Sequence, residues 1–315
     1  MKAILQIQSI SAAPGTKAQG FLSVTGTTVR IPIVIVNGAQ EGPTLLVTAG
    51  IHGGEYPSIE AAIRFGQELD PAQVSGNIIV MSPISLNAFH ARQAFLVPDD
   101  GKNLNRVFPG KATGTISERM AFTIMNDVVP HIQGWIDMHG GDIPEALVPF
   151  GGYIIGENES VNQQARDMSA AFGLKYLLHP SGLPGTSISS ATALGIPGIL
   201  VEAGQLGILD EENTQILLQG CRNVAQCMNI LPGKVTPVEQ IEYMNFPWVR
   251  SEHTGCWYPK VKIGDVIEKG QTVGVVKDYF GTVLGEYKAV EAGLVLLVCA
   301  AMSVNANDPL VGVGN

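Results

Sequence analysis

The stretch TLLVTAGIHGGEYPSIEAAIRFGQEL (44–69) is typical of a buried strand, a glycine-containing turn and a helix. The apolar residues 44–49 predict the strand, and Pro57 suits the first turn of the helix, where its missing N–H would have no partner. Further β-type runs lie at 31–36, 77–82, 134–138 and 198–203. Their alternation with helical patterns predicts an α/β fold with a mostly parallel twisted sheet flanked by helices.

Helical patterns occupy the segments 57–69, 115–130, 159–173 and 211–230. The second of these begins with Thr115 and Glu118 in capping-box spacing, and we expect it to end near Pro130. From about residue 235 no convincing helix follows, and short valine-rich strands alternate with glycine-containing turns. The Pro/Gly linker at 231–234 therefore predicts two domains, a large α/β domain (1–234) and a small all-β domain (235–315).

The charge balance excludes some classes of partner. A net charge of −9 over 315 residues argues against nucleic acid or an anionic membrane. The N-terminal stretch MKAILQIQSISAAPG is a poor signal peptide, because Gln and Ser interrupt its apolar residues. The longest apolar run, 292–302, is much shorter than the ~20 residues of a membrane-spanning helix. No CxxC spacing occurs among the four cysteines, so we expect a cytoplasmic protein with reduced thiols.

Three potential metal ligands follow predicted strands. His52 and Glu55 come after one strand and His139 after another, and both positions are flanked by paired glycines. Functional groups of a doubly wound sheet collect beyond the carboxyl ends of its strands. Two histidines and one carboxylate are ligands of catalytic zinc, which keeps a fourth position open for water. Asp137 shares a strand face with His139, and we expect it to accept a hydrogen bond that fixes the ring of a ligand histidine.

Two further segments carry candidate catalytic and binding residues. Glu202 closes an apolar run, where a carboxylate is costly unless it is paired or functional, and it is the candidate general base. A solvated loop glutamate is the alternative. The stretch 91–111 is locally basic and includes Arg92 and the adjacent pair Asn105–Arg106, whose guanidinium suits a carboxylate. For this stretch, a structural salt bridge or a solvated loop is the alternative.

Four motifs occur in a recognisable order: GIHGGE (50–55), DGKNLNRVFPG (100–110), IDMHGGD (136–142) and VEAGQLG (201–207). As a set they resemble the aspartoacylase/succinylglutamate desuccinylase family, which is related to the zinc carboxypeptidases. The stretch VKIGDVIEKGQTVG (261–274) resembles the biotinyl/lipoyl-like C-terminal module of bacterial members. The resemblance therefore covers nearly the whole chain. It implies a zinc-carboxypeptidase-like sheet, with residues 1–234 as the catalytic domain.

The resemblance also implies a role for each matching residue. It implies one Zn²⁺ per chain, bound by His52, Glu55 and His139. It implies Glu202 as general acid/base, Asn105 and Arg106 as ligands of a substrate carboxylate, and Arg92 as the group that polarises the scissile carbonyl. Some members use a tyrosine of the C-terminal region, for which the sequence offers Tyr258, Tyr279 and Tyr287.

The expected function is a zinc-dependent deacylase that cleaves the amide bond of a small N-acyl amino acid. A homo-oligomer is expected, with neither nucleic acid nor membrane as partner. One alternative is a metallocarboxypeptidase that acts on peptides. Another is a non-catalytic carrier, which the β module suggests, but Lys288 lacks the flanking methionines typical of a modified carrier lysine.

Overall fold

The computed structural model describes residues 2–179 and 184–315. The α-helices of these residues are α1 (Tyr56–Glu68), α2 (Leu86–Ala91), α3 (Ile116–Thr123), α4 (Glu159–Phe172), α5 (Ser187–Ala193) and α6 (Glu211–Cys227). The strands that precede α6 are β1 (Leu5–Ile7), β2 (Ile10–Ala12), β3 (Thr16–Ser23), β4 (Arg30–Asn37), β5 (Gln40–Ala49), β6 (Ser75–Met81), β7 (Gly134–His139), β8 (Glu145–Leu147), β9 (Phe150–Gly152), β10 (Tyr176–Leu178) and β11 (Gly198–Glu202). The strands that follow α6 are β12 (Ile241–Tyr243), β13 (Trp248–Arg250), β14 (Gly255–Pro259), β15 (Val266–Ile267), β16 (Thr272–Lys277), β17 (Val283–Lys288), β18 (Gly293–Cys299), β19 (Ser303–Val304) and β20 (Pro309–Gly314).

A nine-stranded sheet forms the centre of the molecule, in the order β12-β10-β9-β11-β7-β5-β6-β4-β3. The run β11-β7-β5-β6 is parallel, as are the pairs β12-β10 and β10-β9. The pairs β9-β11, β6-β4 and β4-β3 are antiparallel. The sheet is therefore mixed, and the sequence-based expectation of a mostly parallel sheet holds for its centre. The connection from β3 to β4 spans only residues 24–29, which is too short for a parallel crossover.

The central strands are buried on both faces. Leu45 and Val47 point into one apolar cluster, together with Phe65 of α1 and residues of α4 and α6. Leu46, between them, points into a second cluster that includes Ile124. Because successive side chains of a strand face opposite ways, consecutive apolar residues such as 45–47 require a layer on each side. This packing explains why the α/β prediction was correct.

The predicted helices form close to their expected positions. α1 begins at Tyr56, with Pro57 in its first turn. Thr115 and Glu118 form the capping box of α3. The helical segment then continues as a π-helical turn (Ile124–Val128) and a 3-10 turn (Val129–His131), and it ends there. No helix of residues 2–179 and 184–315 is long and apolar enough to cross a bilayer.

The C-terminal region folds into antiparallel sheets, as the sequence predicts. One has the order β13-β20-β18-β15 and the other β17-β16-β14-β19, and they enclose a separate apolar cluster. Two strands pair across the predicted boundary at residue 234. β12 extends the large sheet beside β10, whereas β8 pairs with β18 of the C-terminal sheet. The two regions are therefore joined by backbone hydrogen bonds.

Candidate metal centre and active site

The ends of three neighbouring parallel strands position the candidate site. β7 ends at His139 and β11 ends at Glu202, and these residues lie opposite each other in the strand register. β5 lies on the other side of β7 and leads into the turn that carries His52 and Glu55. This turn needs glycine, because a Cβ on Gly53 would lie 2.2 Å from a backbone carbon of α2.

The two histidines and Glu55 converge. His52 Nδ1 lies 2.6 Å from Glu55 Oε1, and His139 Nδ1 lies 3.0 Å from Glu55 Oε2. One potential ligand atom from each residue lies within 4.8 Å of the others. Glu55 Oε2 is buried and has no partner of hydrogen-bond geometry among the described residues. A carboxylate oxygen left in this state beside two ring nitrogens fits a cation, and the donor set is one that zinc prefers.

Oxygen atoms hold the far nitrogen of each ring. His52 Nε2 lies 3.1 Å from Asn103 Oδ1, and His139 Nε2 lies 3.1 Å from Asp137 Oδ2. An oxygen at this position accepts the Nε2 proton and leaves the Nδ1 lone pair free for a metal ion. Both Nδ1 atoms face Glu55, so the geometry favours the same metal-binding tautomer for each histidine.

His52, Glu55 and His139 form a triangle of potential ligands. Without a cation, the charge of each of these residues depends on the other two. Burial alone would lower the pKa of His139, but the carboxylates of Glu55 and Asp137 raise it well above its usual value. Burial alone would raise the pKa of Glu55, but His139 and His52 lower it. Without a cation, the positive charge of protonated histidine therefore balances the Glu55 carboxylate. A metal ion would compete with protons for the histidine ring nitrogens.

Glu202 has the properties of a group that exchanges protons. Its half-buried side chain stands at the end of β11. Burial raises the pKa of Glu202 well above its usual value, and the carboxylates of Glu55 and Glu145 add to this effect, whereas His139 opposes it. Raised pKa values are typical of carboxyl groups that act as general acids or bases.

The structure places Asn105 and Arg106 differently from one another. Asn105 is 2% exposed, its Oδ1 accepts the backbone N–H of Ser187 at 2.8 Å, and its Nδ2 lies 3.2 Å from His139 Nε2. Arg106 is exposed, and its Nη1 donates to the carbonyl oxygen of Asn105 at 2.7 Å. Partial desolvation lowers the pKa of Arg106, and the Glu202 carboxylate opposes this shift. Arg106 is therefore near enough to Glu202 to be affected by its charge, whereas the side chain of Asn105 is held by Ser187 and His139.

Arg92 lies at the surface, one residue beyond the end of α2, with a left-handed φ of 52°. It borders a cavity of about 470 Å³ that is also lined by Tyr56, Glu60 and Phe89. Within residues 2–179 and 184–315, no hydrogen bond or ion pair joins its side chain to the three potential ligands.

Three residues near the triangle were not found from the sequence. Asn103 Oδ1 faces His52 Nε2 and also accepts the backbone N–H of Asn105 at 2.8 Å. Its place in the NLNR motif is the sequence feature that could have identified it. Asp142 is fully buried and accepts two backbone N–H groups at 2.7 Å. Glu145 lies three residues after Asp142. Burial together with the charge of Glu55 raises the pKa of Glu145 to about 7. The local excess of carboxylates favours a cation at the centre.

The candidate tyrosines all lie in the C-terminal region, Tyr258 and Tyr287 in strands and Tyr279 in the turn between β16 and β17. Tyr287 is buried, and its hydroxyl lies 2.9 Å from His253 Nδ1. The ring of Tyr258 lies under the Lys277 ammonium at 4.8 Å, and Tyr279 is 77% exposed. Over the described ranges, none of the three hydrogen-bonds to His52, Glu55 or His139. The structure does not select one of them for the site.

Comparison with known proteins agrees with this picture. Residues 41–228 match the succinylglutamate desuccinylase/aspartoacylase catalytic domain. The N-alpha-acetyl-L-2,4-diaminobutyric acid deacetylase of Halomonas elongata is 30% identical over 292 residues, which are 90% of this chain and 84% of the relative. A product-bound structure of the ectoine utilization protein EutE (DoeB) from Ruegeria pomeroyi has a TM-score of 0.86 at 25% identity, and the match covers 95% of this chain and 94% of that one.

A succinylglutamate desuccinylase structure from Silicibacter sp. TM1040 is similar in fold. Its TM-score is 0.84 at 24% identity, with 99% of this chain and 100% of that chain covered. The match to the catalytic domain spans more than half of the chain and includes every residue of the candidate centre. The chain belongs to the succinylglutamate desuccinylase/aspartoacylase family.

Proposed function

We propose that the protein is a zinc-dependent deacylase that hydrolyses the amide bond of a small N-acyl amino acid. The convergence of His52, Glu55 and His139 beside Glu202 carries the proposal. These three residues would hold one zinc ion per chain. When bound, zinc supplies a Lewis acid that polarises a carbonyl oxygen and lowers the pKa of a nearby water.

Glu202 would move the proton during the reaction. Its carboxylate takes a proton from the attacking water as the new C–O bond forms, and the resulting acid gives that proton to the amine nitrogen as the C–N bond breaks. The products are a carboxylic acid and a free amino acid. The raised pKa of Glu202 suits this exchange, because the protonated form must persist until the amine departs.

Arg106 would bind the carboxylate of the amino acid. A planar guanidinium can donate two parallel hydrogen bonds to a carboxylate, which fixes the amide over the metal centre. The role of Asn105 in the same contact and the role of Arg92 at the scissile carbonyl stay predictions. The buried setting of Asn105 favours a contact with His139, and the exposed setting of Arg92 would require the side chain to move toward the substrate.

The similar Halomonas elongata protein suggests which substrates to test first. That relative is named for the deacetylation of N-alpha-acetyl-L-2,4-diaminobutyric acid. N-acetylated diamino acids are therefore the first candidates, followed by N-acetyl and N-succinyl derivatives of acidic amino acids. The acidic surroundings of the centre, including Asp142 and Glu145, agree with a substrate that carries a positive charge.

We also propose residues 1–234 as a catalytic domain with a zinc-carboxypeptidase-like sheet and residues 235–315 as a C-terminal domain. The separate apolar cluster of the second region, drawn from residues between Val249 and Val313, supports this division. A carrier role has little support from the geometry. Lys288 lies within β17 opposite Thr272, whereas the hairpin tip that could present a modified lysine is formed by residues 278–282.

The deciding experiment is a screen of N-acyl amino acids, with dipeptides as the competing substrate class. Release of free amino acid is measured for the purified protein, for protein treated with a chelator, and for treated protein resupplied with zinc. We expect hydrolysis of at least one N-acyl amino acid that the chelator abolishes and zinc restores. Preferential cleavage of peptides would instead support the carboxypeptidase alternative, and chelator-resistant hydrolysis would contradict the metal centre.

A further inference from the structure

Asp137 is a fully buried carboxylate beneath the candidate metal centre, and several elements hold it. Its Oδ1 accepts the hydroxyl of Thr48 at 2.7 Å. Its Oδ2 accepts the hydroxyl of Ser187 and faces His139 Nε2 at 3.1 Å. A carboxylate can only accept hydrogen bonds, so all three neighbours must donate to it.

Each donor proton has a defined origin. The indole N–H of Trp135 donates to Thr48 Oγ1 at 2.7 Å, and the threonine proton goes to the nearer of its two acceptors, Asp137 Oδ1 at 2.7 Å rather than the Ile136 carbonyl oxygen at 3.4 Å. Ser187 is the first residue of α5 and is fully buried, so its hydroxyl has no access to solvent. The third donor is then the Nε2–H of His139, so the other ring nitrogen, Nδ1, is the one that faces Glu55 and can bind a cation.

Ser187 also fixes the other neighbour of this histidine. Its backbone N–H donates to Asn105 Oδ1 at 2.8 Å, which turns the amide nitrogen of Asn105 toward His139 Nε2 at 3.2 Å. An amide nitrogen can only donate, so the Asn105 contact does not accept the Nε2 proton, and Asp137 Oδ2 is the oxygen that faces Nε2 and can accept it. One residue of α5 thus controls both groups that contact the Nε2 side of His139.

We propose that Ser187 is a positioning residue of the metal centre. It holds Asp137, whose Oδ2 faces His139 Nε2, so that His139 keeps the tautomer and ring orientation that direct Nδ1 to the cation, and it also fixes the position of Asn105 beside the ring. The proposal rests on the proposed metal-dependent function of the site. It adds a residue from a separate helix, 50 positions from Asp137 along the chain, to the set that determines metal affinity.

The test measures zinc affinity by competition with a chromophoric chelator. Wild type, Ser187→Ala, Asp137→Asn and the double variant are compared. Groups that orient a metal-binding histidine typically contribute 10–100-fold to metal affinity, and we expect a loss of about 10-fold or more for Ser187→Ala. If Ser187 acts through Asp137, the two losses will not multiply, and the double variant will bind zinc about as weakly as Asp137→Asn alone.

Two further measurements separate positioning from a structural role. The visible spectrum of the Co²⁺-substituted protein reports ligand geometry, and we expect Ser187→Ala to change it. Ser169→Ala is the matched control, because Ser169 is a buried helical serine on α4 whose hydroxyl bonds to Gln240. We expect this control to retain the wild-type zinc affinity and Co²⁺ spectrum.

Thr48→Val gives an independent test through the other oxygen of Asp137, should Ser187→Ala fail to fold. It removes a donor while nearly keeping the volume, and a reduced zinc affinity is expected. If folded Ser187→Ala binds zinc as tightly as wild type, the positioning role is wrong, although the proposed function stands. If wild type itself does not bind zinc, the proposed function is wrong.

Discussion

Glu202 and His139 end two adjacent parallel strands in direct register, so the candidate proton carrier and a candidate metal ligand are held by one pair of strands. Their relative position is fixed by backbone hydrogen bonds rather than by a loop. Sites built on regular elements keep their geometry better than sites on loops. This relationship leads to the first prediction.

Replacement of Glu202 by alanine or glutamine should abolish proton transfer and leave the metal triangle intact. General acid/base assistance is typically worth ~10²–10⁴-fold, and we expect kcat to fall by at least that range. Metal analysis of the same preparation should still find one zinc ion per chain. Glu212→Gln, at an exposed position in the first turn of α6, is the control and should keep wild-type kcat. Wild-type turnover of the Glu202 variants would exclude the assignment.

Arg106→Lys should weaken substrate binding, because an ammonium cannot replace the two parallel donors of a guanidinium. Hydrogen bonds to charged groups are worth ~1.5–3 kcal/mol, so we expect kcat/KM to fall by about 10–100-fold, mostly through a higher KM. An N-acyl amine that lacks the carboxylate serves as the control substrate. Its hydrolysis should be equally slow with wild type and variant, and an equal loss on both substrates would argue for a general structural effect.

Asn103→Leu should weaken metal binding through His52. The amide oxygen of Asn103 holds His52 Nε2 at 3.1 Å, and leucine offers no acceptor for that proton. We expect a loss of about 10-fold in zinc affinity, measured by chelator competition. Asn103→Asp keeps an oxygen at this position and should retain most of the affinity. If both variants bind zinc equally well, His52 does not depend on this contact.

The metal-free protein should be less stable at high pH because of Glu145. Its pKa is raised to about 7 from 4.5, so the folded state favours the protonated form. The cost of the charged form is absent below pH 4.5 and is complete above pH 7. Glu145→Gln should therefore be more stable than wild type at pH 8, by on the order of 1–3 kcal/mol, and the difference should vanish near pH 4.5.

Urea unfolding in the presence of a chelator measures this difference across the pH range. Added zinc should reduce it, because a nearby dication favours the carboxylate and lowers the pKa of Glu145. Glu286→Gln, at an exposed position of β17, is the control and should show no such pH dependence. A stability difference that is constant with pH would contradict the raised pKa.

Local sequence patterns predicted the main elements of the fold. The strand 44–49, its turn and α1 follow from adjacent residues, and so does the capping box at Thr115. The triangle was predicted because strand ends of one sheet gather at one edge, which brings His52 near His139 without knowledge of the side-chain packing. The antiparallel pairs β9-β11, β6-β4 and β4-β3 were not foreseen, since the relative direction of two strands is set by how they are connected and leaves no local signal in the sequence.

The residues that hold the histidines were only partly accessible from sequence. Asp137 was predicted because it lies two positions from His139 on the same strand face. Ser187 was missed, because its contact with Asp137 depends on how α5 packs against the sheet. The exchange of β8 and β12 between the sheets was missed for the same reason, since each is only three residues long.

The pairing of β8 with the C-terminal sheet connects that sheet to the candidate site. β8 begins three residues after the buried Asp142 and is hydrogen-bonded to β18, so the rim of the site and the C-terminal sheet form one continuous ribbon. A change in the tilt of the C-terminal sheet would therefore move the backbone that carries Asp142 and Glu145. Exchange of the C-terminal sheet for that of a relative would therefore alter the geometry of the site, and its removal would leave β8 and β10 with unpaired edges that favour aggregation.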